Sequence, residues 1–211
     1  MRILFIGNSY TSRNDLPGLL RRLAGQQHPP VTIETEAIVA GGASLRRHWN
    51  AGIALHTLST SHWDYVVLQD QSTLPVKNAV RYHDNVRLFV AAIRERSAKL
   101  VLYLNWPRMS APQTAGALEL AVRQIADEVG ALIAPVGPAW RAAARALPAL
   151  ALYERDGSHP TAAGSYLAAC VFFSVLSGRR ATGSGVADSL GLDAAAATAL
   201  EDVAAATAEA C

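Results

Sequence analysis

Cysteine, charge and long apolar runs are all scarce in this sequence, and each absence narrows the possibilities. Only two of the 211 residues are cysteines, Cys170 and Cys211, and they form neither a CxxC pair nor a disulfide framework. Charged residues make up 17% of the chain and the net charge is +2, so the composition favours neither a disordered chain nor a nucleic-acid-binding protein. No apolar run approaches the roughly 18 residues that are needed to span a bilayer.

The N-terminal segment also lacks the pattern of a signal peptide, a charged stretch followed by an apolar one. From the sequence as given we therefore expect a cytoplasmic protein that contacts neither a membrane nor nucleic acid. A chain of 211 residues is long enough for one sizeable core and short for two domains. We expect an α/β domain over residues 1–180 and an accessory segment of the same domain over residues 181–211.

Five short apolar runs alternate with longer segments along the chain. The runs are RILFIG, VTIETEAIV, WDYVVLQD, KLVLYLNW and ALIAPVG. Apolar residues three and four apart predict helices over 16–27, 45–58, 80–97, 115–129 and 138–147. Because strands and helices alternate, the sequence predicts a parallel sheet with helices on both faces.

Two further segments follow the last predicted strand. Residues 161–176 contain YLAACVFFSVL, which is apolar nearly all round and predicts a helix buried against the sheet. A Gly/Ser-rich connection leads to an alanine-rich tail with high helix propensity and a thin apolar face, so this tail is either packed or loosely held. The apolar helix and the tail are also candidate surfaces for a homodimer.

Polar residues follow the predicted strands, where a doubly wound sheet binds its ligands. They are Asn8 and Ser9, then Gly41, Gly42 and Ser44, then Gln69, Asp70, Gln71 and Ser72, then Asn105 and Trp106, and finally the segment ERDGSHP before the apolar helix. An active site is expected in these loops.

The segment DGSHP combines two groups that a serine nucleophile needs. An imidazole accepts the proton of the hydroxyl, and a carboxylate fixes the tautomer of the imidazole and stabilises its charged form. Asp156 and His159 are three residues apart across a Gly-Ser turn, so the carboxylate can reach Nδ1 and leave Nε2 free. Pro160 suits the first turn of the following helix, which places His159 near the N-terminus of that helix.

Ser9 follows the first predicted strand, where it can be a turn residue, a phosphate-loop residue or a nucleophile. No G-x-S-x-G occurs, which excludes the nucleophile elbow of the α/β-hydrolases. Acyl transfer also needs donors for an oxyanion. The candidates are the backbone N–H groups of Ser9 and Gly42 and the side-chain amide of Gln71.

These blocks resemble those of the SGNH hydrolases, also called the GDSL esterase/lipase superfamily. FIGNSYT is similar to the first block, VAGGASL to the second and DGSHP to the last, with Ser9, Gly42, Asp156 and His159 in the functional places. The resemblance implies a flavodoxin-like three-layer α/β/α sandwich with the strand order 2-1-3-4-5. It also implies hydrolysis of carboxylic esters through an acyl-enzyme, without a metal or another cofactor.

Two departures from the family pattern affect the site. Asn8 replaces the aspartate of G-D-S, and an asparagine can still make the local turn bond. The third block usually reads G-x-N-D, whereas an ungapped alignment puts Gln71 in the place of the asparagine. Gln69 is the alternative third donor of the oxyanion hole.

The substrate is expected to be a small-molecule ester with a short acyl group, such as an acetyl ester of a carbohydrate, because no long insertion builds a lid. Tyr10 and Trp106 are candidate pocket walls, since aromatic faces suit sugar rings and acyl chains. Arg46, Arg47 and His48 are interpreted as a solvated helix face, with contact to an anionic substrate as the alternative. Acyl transfer, thioester hydrolysis, phosphate binding by a flavodoxin-like module, a receiver-like module and a non-catalytic carbohydrate-binding domain stay open as alternatives.

Overall fold

Five parallel strands form one sheet in a computed structural model that describes residues 1–211, apart from the side chain of Ser184. The strands are β1 (Arg2–Gly7), β2 (Glu34–Val39), β3 (Tyr65–Leu68), β4 (Lys99–Tyr103) and β5 (Leu132–Ala134). They lie in the order β2-β1-β3-β4-β5, and every neighbouring pair is parallel. The strand order that the family resemblance implies is therefore confirmed.

Helices cover both faces of this sheet. They are α1 (Ser9–Ser12), α2 (Leu16–Gly25), α3 (Leu45–Ala51), α4 (Ile53–Thr60), α5 (Leu74–Lys77), α6 (Ala79–Glu95), α7 (Ala115–Val129), α8 (Val136–Ala146), α9 (Ala162–Ser177), α10 (Ser184–Ser189) and α11 (Ala194–Glu209). One apolar core joins the sheet to α2, α8, α9, α10 and α11, and a second joins its other face to α3, α4, α6 and α7. The three-layer α/β/α sandwich is confirmed as well.

Strand β1, which lies between β2 and β3, shows why a continuous apolar run predicts a buried strand. Side chains alternate between the two faces of a strand. Ile3 and Phe5 therefore enter the core beneath α9, whereas Leu4 and Ile6 enter the opposite core. Both faces of β1 are covered, so all four side chains are buried.

Two local differences from the sequence prediction concern the helices that follow β1 and β2. The helix predicted over residues 45–58 is interrupted at Gly52, which adopts a left-handed conformation with φ of 74° and ends α3. Glycine reaches this conformation without steric cost, so the chain turns there and begins α4. The second difference is α1, a single helical turn directly after β1 that the sequence analysis did not predict.

The alanine-rich tail forms α11, which packs against α8 and α9. Ala197, Leu200 and Ala204 are buried in the same core as α9. The small alanine side chains let α11 pack closely against α9. This close packing compensates for the narrow apolar face of α11. Within the described part of the chain, no helix has the length and apolar character that crossing a membrane requires.

Candidate active site

Ser9 lies at the carboxyl end of β1, in a loop that Asn8 organises. The side chain of Asn8 caps α1 by accepting from the Tyr10 N–H at 3.1 Å. Its amide nitrogen donates to the backbone oxygens of Ala43 at 3.0 Å and Asp70 at 3.2 Å, which lie in the loops after β2 and β3. An aspartate could not make these two donations, because an ionised carboxylate only accepts. Asn8 therefore joins three loops of the site.

A chain of hydrogen bonds connects Ser9, His159 and Asp156. The Ser9 Oγ lies 2.8 Å from His159 Nε2, and His159 Nδ1 lies 2.5 Å from Asp156 Oδ2. The other carboxylate oxygen of Asp156 accepts the backbone N–H groups of Ser158 and His159, both at 2.9 Å. The fold thus brings together three residues that are up to 150 positions apart in sequence.

The surroundings of Asp156 favour its ionised form. The hydrogen bond from His159, followed by those from the two backbone N–H groups, lowers the pKa of this carboxyl well below its ordinary value. Its side chain is 47% exposed, so desolvation opposes the shift only weakly. Asp156 is therefore a carboxylate at neutral pH and accepts the proton on His159 Nδ1.

The helix α9 begins within one residue of the predicted start, but Pro160 does not lie in its first turn as the sequence analysis predicts. Thr161 caps this helix by accepting from the Gly164 N–H, and the helix begins at Ala162. Pro160 instead pairs with Tyr153 in an isolated β-bridge ahead of the cap. His159 is consequently held by the bridge and by Asp156, two residues before the cap.

The two glutamines after β3 have different surroundings. Gln69 is buried, and its Oε1 accepts the Asn8 N–H at 2.9 Å and the Thr11 hydroxyl at 3.1 Å. Its Nε2 donates to the backbone oxygen of Asp70. The Gln71 Oε1 accepts from the N–H and the hydroxyl of Thr73, both at 3.0 Å, while its Nε2 has no acceptor among the residues that the structure describes. The Nε2 of Gln71 is thus free to donate, whereas the Gln69 amide is hydrogen-bonded at both its oxygen and its nitrogen.

Two backbone N–H groups at the same edge of the sheet are also without an acceptor in the described part of the protein: those of Ser9 and Gly42. Ser9 is the first residue of α1, where an N–H has no partner within its helix. Gly42 is exposed, has φ of 62°, and would meet nothing within 4 Å if it carried a Cβ. Its left-handed backbone, not crowding, is the feature that favours glycine there.

A buried aspartate connects the loops that carry Gly42 and Gln71. Asp70 Oδ1 accepts the N–H groups of Leu45 at 3.1 Å and Gln71 at 2.6 Å, and its Oδ2 accepts from the side chain of Asn85 at 2.9 Å. Burial raises the pKa of Asp70, and these hydrogen bonds together with Arg81 oppose the rise. Asp70 is therefore enclosed by structural donors, unlike the phosphorylatable aspartate of a receiver-like module.

The interpretation of residues 46–48 as a solvated helix face is wrong for His48. This side chain is buried, and its Nε2 donates to the carbonyl oxygen of Gly7 at 2.7 Å, since a carbonyl only accepts. Burial lowers the pKa of His48, which keeps the ring neutral. Arg46 donates to the Asn85 side chain at 3.3 Å, and Arg47 is exposed. No local motif signals the contact of His48, because the fold alone brings α3 beside β1.

Tyr10 and Trp106 are packed more tightly than pocket walls usually are, with exposures of 4% and 1%. Their rings stack with centroids 4.9 Å apart. The Tyr10 hydroxyl lies 2.6 Å from the Ser158 hydroxyl, and the Trp106 indole N–H donates to the Ser158 carbonyl at 3.0 Å. Both side chains therefore support the loop before His159. Trp106 also lines a cavity of about 220 Å³, and Tyr10 is not among the residues that line it.

Comparison with known proteins places the chain in a family. Neither a protein-family model nor a curated protein matches the sequence. Among solved structures, a protein from Slackia heliotrinireducens that is assigned to the SGNH hydrolases is 31% identical, with a TM-score of 0.71 over 82% of this chain and 97% of that one. The chain belongs to the SGNH hydrolases.

Two further structures share the fold of this SGNH hydrolase at lower identity. A DUF4886 family protein from Bacteroides uniformis is 22% identical, with a TM-score of 0.79 over 98% of this chain and 94% of that one. A catalytic mutant of Axe2, an acetylxylan esterase from Geobacillus stearothermophilus, is 15% identical, with a TM-score of 0.65 over 91% and 94%. The family assignment supports hydrolase chemistry. Among the described residues, no cluster of His, Cys, Asp and Glu side chains is suited to hold a metal ion.

Proposed function

We propose that this SGNH hydrolase cleaves carboxylic esters with Ser9 as the nucleophile, His159 as the general base and Asp156 as the group that orients His159. The observation that carries this proposal is the continuous hydrogen-bond chain of 2.8 Å and 2.5 Å through the two nitrogens of His159. A serine hydroxyl is a weak nucleophile at neutral pH, and a base at this distance can accept its proton as it attacks.

In the first half of the reaction, the Ser9 Oγ attacks the ester carbonyl carbon and its proton passes to His159 Nε2. Asp156 stabilises the imidazolium that results. The tetrahedral intermediate collapses when His159 returns the proton to the leaving alcohol, and the acyl group stays on Ser9. Water then gives a proton to His159 and attacks the acyl-enzyme. His159 passes this proton to the Ser9 Oγ as the second tetrahedral intermediate collapses, which releases the carboxylic acid and restores Ser9.

The proposed oxyanion hole consists of the backbone N–H groups of Ser9 and Gly42 and the Nε2 of Gln71. These donors come from the loops after β1, β2 and β3, and none of them has an acceptor among the described residues. Donors that are already oriented toward the developing charge need no rearrangement during the reaction. Gln69 is not a member, because its amide is engaged with neighbouring backbone and hydroxyl groups.

We further propose a short acyl group, such as the acetyl group of a carbohydrate ester. The cavity beside Trp106 has a volume of about 220 Å³, which suits a small substituent better than a long acyl chain. The shared fold with an acetylxylan esterase is compatible with this choice.

Rates with 4-nitrophenyl esters of increasing chain length, from acetate to palmitate, test both parts of the proposal. We expect the highest kcat/KM at acetate and a loss of activity to the background rate in Ser9→Ala. A maximum at palmitate would contradict the short acyl group. Activity that persists in a folded Ser9→Ala variant would contradict the role of Ser9.

A further inference from the structure

The cavity of about 220 Å³ combines an apolar floor with two cations. Trp106, Pro107 and Leu118 contribute apolar surface, and the side chains of Lys77 and Arg108 line the same space. No aspartate or glutamate is among its lining residues, so far as the structure describes the chain. The cavity therefore combines an apolar floor with positive charge.

No proposed catalytic group lines this cavity, but two of its lining residues contact the loops that carry Gln71 and His159. Ser72 and Thr73 line it, and Thr73 donates twice to the carboxamide oxygen of Gln71. On the other side, Trp106 donates to the carbonyl of Ser158, the residue before His159. A substrate whose carbonyl oxygen lies against Gln71 can therefore extend a substituent into the cavity.

The two cations at the cavity have no carboxylate partner, unlike the arginines that form ion pairs elsewhere in the protein. Arg87, Arg123, Arg141 and Arg180 each form an ion pair with a glutamate or an aspartate. Neither Lys77 nor Arg108 forms an ion pair with any residue whose side chain the structure describes. Both are exposed at the cavity, which leaves their charges available to an incoming anion.

We propose that this cavity binds a carboxylate group of the substrate, so that the preferred esters are small and negatively charged. The inference rests on the proposed esterase function and specifies its substrate class. Lys77 and Arg108 can both pair with one carboxylate, whereas an ester without a negative charge leaves both cations unused. The carboxylate can belong to the acyl half or to the alcohol half of the ester.

Matched substrates distinguish the two halves. Monoethyl succinate carries a carboxylate on its acyl half, and ethyl succinamate carries a neutral amide in the same place. The pair 3-acetoxybenzoate and 3-acetoxybenzamide makes the same comparison on the alcohol half. In one of the two pairs we expect kcat/KM to be about tenfold higher for the anion, as two partly exposed charge pairs allow. Because salt screens exposed charges, this preference should fall in about 0.5 M sodium chloride.

The double variant Lys77→Met/Arg108→Met should remove the preference while it retains hydrolysis of 4-nitrophenyl acetate. Arg47→Met is the matched control, since Arg47 is an exposed cation near the Gly42 loop that does not line the cavity. No preference for the anion in either wild-type pair would overturn the proposal. An equal loss in Arg47→Met would also overturn it, because a diffuse positive surface would then be responsible.

Binding to Ser9→Ala separates this proposal from the proposed function. Isothermal titration of Ser9→Ala with 3-acetoxybenzoate and monoethyl succinate needs no turnover. We expect one of these anions to bind about tenfold more weakly after Lys77→Met/Arg108→Met is added. Equal binding with and without the two cations overturns the carboxylate site. Failure of the wild type to hydrolyse 4-nitrophenyl acetate would instead refute the esterase function, and the binding result would still decide the cavity.

Discussion

Two aspartates at the same edge of the sheet have opposite surroundings. Asp156 is 47% exposed, faces the ionisable His159, and has a lowered pKa. Asp70 is 5% exposed, faces only amide donors, and has a pKa that burial raises. Both accept two backbone N–H groups and organise a loop. The third donor is an imidazole for Asp156 and a side-chain amide for Asp70. In the proposed mechanism, this difference lets Asp156 support proton transfer and leaves Asp70 a structural role.

This contrast assigns Asp70 a positioning role. Its Oδ1 accepts from Leu45, which follows the Gly42 loop, and from Gln71, so one oxygen joins two of the three proposed oxyanion loops. Asn85 holds the other oxygen, and Arg46 in turn donates to Asn85. In the proposed mechanism, Asp70 acts through the donors that it orients.

The largest expected effect is that of Asp156→Asn. An amide can present a donor to His159 Nδ1, which favours the tautomer that protonates Nε2 and prevents it from accepting the Ser9 proton. We expect kcat on 4-nitrophenyl acetate to fall about a thousandfold, with little change in the melting temperature because the residue is exposed. A loss below about tenfold would show that Asp156 does not orient the base.

Gln71→Ala should have the next largest effect. Removal of one oxyanion donor lowers kcat by about a hundredfold, and KM changes little when the donor acts mainly in the transition state. Gln69→Ala is the matched comparison. It leaves the Asn8 N–H and the Thr11 hydroxyl without their acceptor, so it should lower the melting temperature more than Gln71→Ala does. A kcat loss confined to Gln69→Ala would reverse the assignment of the third donor.

Asp70→Asn should lower kcat by about tenfold, less than either change above, because the amide oxygen can still accept from Leu45 and Gln71. Its amide nitrogen faces the Asn85 amide, which is a conflict of donors. Asn85→Leu should cause a similar loss of kcat with an unchanged KM, since it removes the same hydrogen bond. A loss as large as that of Asp156→Asn in a folded Asp70→Asn variant would contradict the positioning role.

The smallest effect concerns the pH dependence of stability. Because the folded state raises the pKa of Asp70, the stability associated with this group is present at low pH and declines as the pH rises through the raised value. The unfolding free energy of the wild type minus that of Asp70→Asn should therefore decrease from acidic to neutral pH. Asp156 has a lowered pKa, so the same difference for Asp156→Asn should increase with pH. Urea unfolding at several pH values measures both slopes, and slopes of equal sign would contradict the comparison.

The sheet and its helices were predictable because β1, β3 and β4 are apolar runs that the fold buries on both faces. The choice between Gln69 and Gln71 as the third oxyanion donor was not predictable from the sequence. Gln69 still extends the ladder, since its N–H donates to Ile6 at 2.9 Å, and its side chain remains in the interior. The chain turns after it, so only the three-dimensional path shows that Gln71 keeps a free donor.

Asp70, Asn85 and His48 were missed as supporting residues for a similar reason. Asp70 and Asn85 are 15 residues apart on different elements, and His48 and Gly7 are 41 apart. No sequence motif links either pair. Asp156 and His159 form their contact within one turn of four residues, and their spacing alone predicted it. The division of the chain at residue 180 and the homodimer stay predictions.

The most direct test of the account is intact-protein mass spectrometry after treatment with a serine-directed fluorophosphonate. The wild type should gain the mass of one phosphonyl group, with the label on Ser9, and Ser9→Ala should gain none. His159→Ala should be labelled much more slowly, because the hydroxyl has lost its base. An unlabelled wild type, or a label that persists in Ser9→Ala, would contradict the claim that Ser9 is an activated nucleophile.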